Sequence, residues 1–175
     1  MLTIYTDGAV SKNGQDGAYG GWGFVRAETD DYAFGGLPLN ATNQICELKA
    51  IYEACKYAQE ILDKTEENFP PETVVIRSDS AYVINCYKQK WYSSWQSNGW
   101  KNSKKEPVAN KDLWELIIPY FENPRFTFEK VVGHSGDKYN ELADKYANKG
   151  KAKAKQAREY FNKTIEERGL ITDAE

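Results

Sequence analysis

Four carboxylates in this chain of 175 residues sit where they could work together. Asp7 follows LTIYT and Asp79 follows TVVIRS. Both runs read as strands, over 2–6 and 73–78, which places each acid just past a strand's carboxyl end. If the two strands are neighbours, the acids lie side by side, where open α/β sheets bind their ligands. Glu47 falls one turn into a predicted helix over 43–63, and Asp144 falls on a predicted helix that begins near 139. Taken singly, each is one of 26 acids with an ordinary role: Glu47 in a capping box with Asn43, Asp144 solvated on a helix face. Gathered, they repel and cannot all stay ionised without a cation. An all-oxygen ligand set selects Mg2+ or Mn2+. Two such ions ~4 Å apart can activate water and stabilise the leaving oxygen in phosphodiester hydrolysis. Zinc is disfavoured, because His134 is the only histidine and Cys46, Cys55 and Cys86 form no paired motif. His134 lies in GHSGD, a glycine-flanked loop after a predicted strand, where an imidazole could move a proton near neutral pH.

The elements that must position these residues are legible in the hydrophobic pattern. Strands over 2–6, 21–28 and 32–37 are separated only by short turns, so they should pair antiparallel. The 43–63 helix carries Ile45, Leu48, Ile51, Cys55, Ala58 and Leu62 at spacings of three and four, with Thr42 or Asn43 as its cap. After the 73–78 strand come a short helix from Ser80 and a partly helical basic segment. A helix over 111–121 follows, capped by Asn110 and weakened late by Pro119; then a strand over 125–132 and the last helix. This order predicts an α/β fold: one five-stranded mixed sheet, three antiparallel strands plus two parallel, flanked by helices. One domain over 1–150, with a basic protrusion at about 85–111 and a C-terminal helical extension over 151–175, accounts for the chain.

The net charge of −3 argues on its face against a polyanionic partner. Its distribution argues the reverse. Lys88, Lys90, Lys101, Lys104, Lys105 and Lys111 stand against Glu106 alone within 85–111, and Trp91, Trp95 and Trp100 interleave with them. Lysines for phosphates and indoles for sugars or bases suit a nucleic-acid groove. No apolar run approaches the ~20 residues of a membrane span, and the N-terminus has no leader pattern. Three unpaired cysteines favour a reducing compartment, here the cytoplasm.

YTDGA with Asp7, TNQICELKAI with Glu47, RSDSAYV with Asp79, the WYSSWQSNGWKNSKKEPVANKDLW segment, and VVGHSGDKYNELAD with His134 and Asp144 together resemble ribonuclease H of the type 1 class, over about residues 1–150. The resemblance implies a metal-dependent endonuclease that cuts the RNA strand of RNA–DNA hybrids, leaving 5′-phosphate and 3′-hydroxyl ends. It implies that Asp7, Glu47, Asp79 and Asp144 hold two Mg2+ ions, with Mn2+ possible, and that His134 aids product release. Thr42 and Asn110 match residues that hold a DNA-strand phosphate, and Asn43 and Gln44 match a pair that reads the minor groove. Gly8 and Asn13 match RNA-strand contacts. Trp91, Trp95 and Ser103 match a channel for the DNA strand, and Asn140 matches a residue behind the metals. The implied partner is the hybrid duplex, bound by a monomer with no membrane and no obligate protein partner. Two alternatives remain at this stage: a hybrid-binding module of weak catalysis, and another nuclease of the same superfamily, such as a junction resolvase.

Overall fold

The computed structural model describes residues 1–65, 72–133 and 136–169. Residues 66–71, His134, Ser135 and residues 170–175 lie outside the described residues. Strands β1 (Leu2–Ser11), β2 (Tyr19–Arg26) and β3 (Tyr32–Leu37) form an antiparallel meander. Helix α1 (Asn43–Lys64) returns the chain to β4 (Val74–Ser78), which pairs parallel with β1. Helices α2 (Ala81–Gln89), α3 (Trp91–Asn98) and α4 (Lys111–Phe121) lead to β5 (Phe126–Lys130), parallel to β4, and α5 (Lys138–Glu167) closes the fold. The sheet order is β3-β2-β1-β4-β5, the mixed five-stranded arrangement expected. No helix among the described residues is long and apolar enough to cross a membrane.

Alternation along the strands sorts the two faces. Ile4, Phe24 and Ile76 join Leu48, Ile51, Trp114, Ile117 and Phe128 in the larger core beneath α1 and α4. Their strand neighbours Tyr5 and Val25 point the other way and meet Ala143 of α5. Thr42 starts α1, its hydroxyl oxygen accepting from the Ile45 N–H at 3.1 Å. Cys46, Cys55 and Cys86 are buried free thiols.

Two sequence expectations are corrected. First, β1 runs through Ser11, so Asp7 lies inside the strand, paired with Gly23, rather than past its end. The glycine-rich opening of β2 lets that pairing continue. Second, Asn110 makes no side-chain capping hydrogen bond, because its backbone is left-handed, at φ 63°, and its side chain is engaged elsewhere. The short helix expected from Ser80 is α2, and the partly helical basic segment holds α3 beyond Lys90, whose backbone is left-handed. The last helix, α5, runs past Gly150 without a break for 30 residues. Pro119 is tolerated within α4, which continues to Phe121.

Helix α5 lies directly on sheet backbone. A Cβ on Gly23 would stand 2.5 Å from the Ala147 nitrogen, and one on Gly36 would stand 2.9 Å from the Ala154 nitrogen. A Cβ on Gly21 would collide with the backbone of Lys151, Ala147 and Gly150, none of which can swing away. Gly21→Ala is therefore expected to destabilise the protein by at least ~3 kcal/mol in urea unfolding; a loss under ~1 kcal/mol would show that the contact yields easily.

Candidate active site

The parallel β1–β4 ladder ends at the Thr6–Ser78 pair, so Asp7 and Asp79 emerge together at one end of the sheet's centre. Asp7 is 8% exposed and accepts the Gly8 N–H at 2.8 Å. Gly8 matters by what it lacks. A Cβ there would stand 2.6 Å from the Glu47 nitrogen, so the first turn of α1 rests on β1 only because position 8 has no side chain. That contact delivers Glu47, whose carboxylate accepts from Asn43 Nδ2 at 3.1 Å and from the Ser80 hydroxyl. Asp144 comes from α5, its Oδ1 accepting from Asn148 Nδ2 at 3.2 Å. One turn earlier Asn140 is buried, and its Oδ1 has no partner among the described residues. Gly133 lies over Asp79, where a Cβ would stand 2.9 Å from its Oδ2.

The electrostatics register this crowding. Burial, then the charge of Asp79, then those of Asp144 and Glu47, push the Asp7 carboxyl up to about 8 against the pull of the Gly8 N–H. Burial also raises Glu47, with the Asp79 charge adding and the Ser80 and Asn43 hydrogen bonds opposing. Among the described residues, no three His, Cys, Asp or Glu side chains converge closely enough to hold an ion as they stand. The donors at the sheet end are nonetheless all oxygens, and a proton is held on Asp7 where a hard divalent cation would relieve the same repulsion. The chemistry of the set fits such an ion.

The ends of α1, α2 and α4 enclose a hollow of about 480 Å³ lined by Asn13, Thr42, Asn43, Gln44, Glu47 and Asn110, among others. Two separate hydrogen bonds hold its amides. Asn13 Oδ1 accepts the Asn43 N–H at 3.0 Å, and Asn110 Nδ2 donates to Gln44 Oε1 at 2.6 Å. A second hollow of about 570 Å³ is lined by Trp91, Trp95, Lys101 and Ser103. Most predicted substrate residues thus fall into two adjoining hollows. Trp95 is buried, 7% exposed, because Trp114 of α4 meets it edge-on at 5.3 Å and Trp100 packs at 5.9 Å. Tyr82 went unnoticed in the sequence although it lines both hollows. Its ring meets Trp91 and Trp114, and its hydroxyl meets Gln44. Its position three residues after Asp79, on the first turn of a helix leaving the site, was the available signal.

The sequence model of the RNase H family matches residues 1–152. "Ribonuclease H" of Syntrophomonas wolfei is 45% identical over 147 residues, covering 83% of this chain and 92% of that protein. "Ribonuclease H" of Clostridium botulinum is 39% identical over 152 residues, covering 84% and 93%. Among solved structures, the foamy viral protease-reverse transcriptase in complex with dsDNA aligns with a TM-score of 0.67 at 27% identity, over 86% of this chain and 93% of that one. The same viral protein in complex with RNA/DNA hybrid aligns at 0.66 and 25% identity, over 86% of this chain and 20% of that one. This chain belongs to the RNase H family.

The Asp7 shift has a thermodynamic consequence. With an ordinary value of 3.8 unfolded and about 8 folded, Asp7 keeps a proton that the unfolded chain has lost, so its contribution to metal-free stability falls as pH rises between those values. Asp7→Asn, neutral throughout, removes that loss. It is expected to raise metal-free stability by on the order of 2 kcal/mol at pH 9 and to change it little at pH 4. Thermal unfolding in EDTA at both pH values checks this; a difference that does not grow with pH would refute the crowding.

Proposed function

We propose that this chain is a ribonuclease H: an endonuclease that hydrolyses the RNA strand of RNA–DNA hybrids to 5′-phosphate and 3′-hydroxyl products. The observation that carries the proposal is the convergence on Asp7 of the charges of Asp79, Asp144 and Glu47, at the sheet end beside the two hollows, in a chain of this family. Asp7, Glu47, Asp79 and Asp144 would hold two divalent ions, Mg2+ in the first instance. Such ions supply an activated water and a counter-charge for the leaving oxygen. Asn140, buried behind Asp144 on the same helix, orients that carboxylate's turn. His134 serves proton transfer and product release.

The same reading distributes the substrate. Thr42 and Asn110 take a phosphate of the DNA strand. Asn43, whose N–H donates to Asn13, and Gln44, which accepts from Asn110, face the minor groove, while Gly8 and Asn13 meet the RNA strand. Trp91, Trp95 and Ser103, with Tyr82, form the wall along which the DNA strand runs. Selection for a hybrid follows from two demands. One strand must show 2′-hydroxyls in a shallow minor groove, and the other must present sugars without them to an aromatic wall. Sequence preference is weak because phosphates and sugars carry the contacts. Buried free thiols suit the reducing cytoplasm, and this chemistry calls for no second subunit.

A labelled hybrid incubated with Mg2+ tests the proposal. The protein is expected to shorten the RNA strand only, and Asp79→Asn to slow cleavage more than ~100-fold with hybrid affinity retained. No RNA cleavage by the unaltered protein would overturn the activity, and equal cleavage by both would overturn the assigned site. Lys101→Glu with Lys104→Glu is expected to raise KM about tenfold with kcat within about twofold, since exposed lysines bind phosphate without touching the chemistry. An unchanged KM would remove the protrusion from the substrate path.

A further inference from the structure

The middle of α5, over 145–158, plays no part in the function proposed above, yet it is the most one-sidedly charged segment of the fold. Lys145, Lys149, Lys151, Lys153, Lys155 and Arg158 are met by no acid between 145 and 158. The helix sits on the sheet through Ala143, Ala147, Gly150 and Ala154, a ridge that needs no cations to hold it. At 3.6 residues per turn, the remaining positions divide into two flanks beside that ridge.

One flank turns to β3. Tyr146 stacks on Tyr32 at 4.2 Å, Lys149 lies over the Tyr146 ring at 5.6 Å, and Lys153 lies over Phe34 at 4.8 Å. Its lysines are engaged with rings. The other flank carries Asp144, Asn148, Lys151, Lys155 and Arg158 at steps of four, three, four and three residues. Among the described residues, Lys151 and Lys155 have no ion-pair or ring partner. Arg158 donates to the Gly17 carbonyl and so pins the helix to the loop between β1 and β2. That loop also carries Lys12, at a left-handed φ of 59°, and Asn13, which lines the hollow beside Glu47. Asp16 on the loop and Glu159 just past Arg158 are the acids that adjoin this flank.

We infer that Lys151, Lys155 and Arg158, with Lys12, form a track for the phosphates of a nucleic-acid strand continuing past the scissile step, starting from Asp144 on the same helix flank. The inference rests on the reading of Asp144 as part of the cleavage site. At 1.5 Å per residue the flank runs ~10 Å from Asp144 to Lys151 and ~21 Å to Arg158. At ~3.4 Å per base step that is about six steps of a strand. Unpaired lysines in a row exchange condensed counterions for protein contacts, which gives affinity without sequence preference. The track makes the enzyme sensitive to how far the hybrid extends on one side of the cut.

Two hybrids test it, one ending within ~3 base pairs of the cut on both sides, the other extending ~12 beyond it on both, so that only the second spans the track. For Lys151→Glu with Lys155→Glu, KM for the long hybrid is expected to rise about tenfold, and the slope of log affinity against log salt to flatten by about 1.5, with kcat unchanged. KM for the short hybrid should stay within about twofold of the unaltered protein. Lys151→Gln with Lys155→Gln should give a smaller effect of the same kind, with helix content by circular dichroism unaltered in both. An equal rise on the two hybrids, or no rise on either, overturns the track. Fluorescence anisotropy of both hybrids on the Asp79→Asn protein, with and without the lysine changes, reads the same difference without turnover. Absence of cleavage would therefore count against the site reading, while absence of a length-dependent affinity loss would count against the track.

Discussion

The contact of α5 with β2 and β3 is a meeting of two backbones, and the rest of the structure is arranged around it. Gly21, Gly23 and Gly36 offer the helix no side chains, and Ala147, Gly150 and Ala154 offer the sheet little or nothing in return. A helix seated so closely cannot shift sideways without collision. Its start is held as firmly: Asp137 accepts the Tyr139 and Asn140 N–H groups, and the Tyr5 hydroxyl, which itself accepts from Arg77, donates to the same carboxylate. Asp144 and Asn140 are thereby delivered to the end of the β1–β4 ladder, beside Asp7 on a strand far from them in sequence.

That delivery works against electrostatics. Burial of the Asp7 carboxyl, with three like charges brought to bear on it, pushes it up to about 8 without a metal. Burial of Leu48, Ile51, Trp114 and Phe128 on one face, with the α5 contact on the other, offsets this local repulsion. A site that disfavours its own metal-free state is poised for a cation, which trades some stability for function.

Charge is segregated more sharply than its sum reveals. The total of −3 includes the crowded acids at the sheet end, while positive charge collects in the segment between α2 and α4 and on α5. Those acids lie together, so the basic segments set their own local field for a polyanion to meet. The tryptophans of the first basic segment have a double part. Trp91 and Trp95 line a hollow, but Trp100 and Trp114 also pack on Trp95, so the wall of the hollow is continuous with the core.

Much was legible in the sequence by itself: the order of strands and helices, the sheet's mixed pairing, a capped start of α1 at Thr42 or Asn43, and Asp7, Glu47, Asp79 and Asp144 as candidate acids. These follow from local periodicity and residue chemistry, which a linear reading carries. The tertiary structure alone decided which acids act on which. Asp7 proved to lie inside β1, since pairing with a glycine strand extends that strand. Asn110 proved to bind Gln44 instead of its own helix. Trp95 turned out to be half core, and Tyr82 to join two hollows. The Lys-rich middle of α5, which in sequence is only a charged run, is split into a ring-bound flank and one whose Lys151 and Lys155 meet no ring. Each of these depends on what a residue meets from a distant part of the chain, and on close approach permitted by side chains that are absent; neither leaves a periodic mark in the sequence.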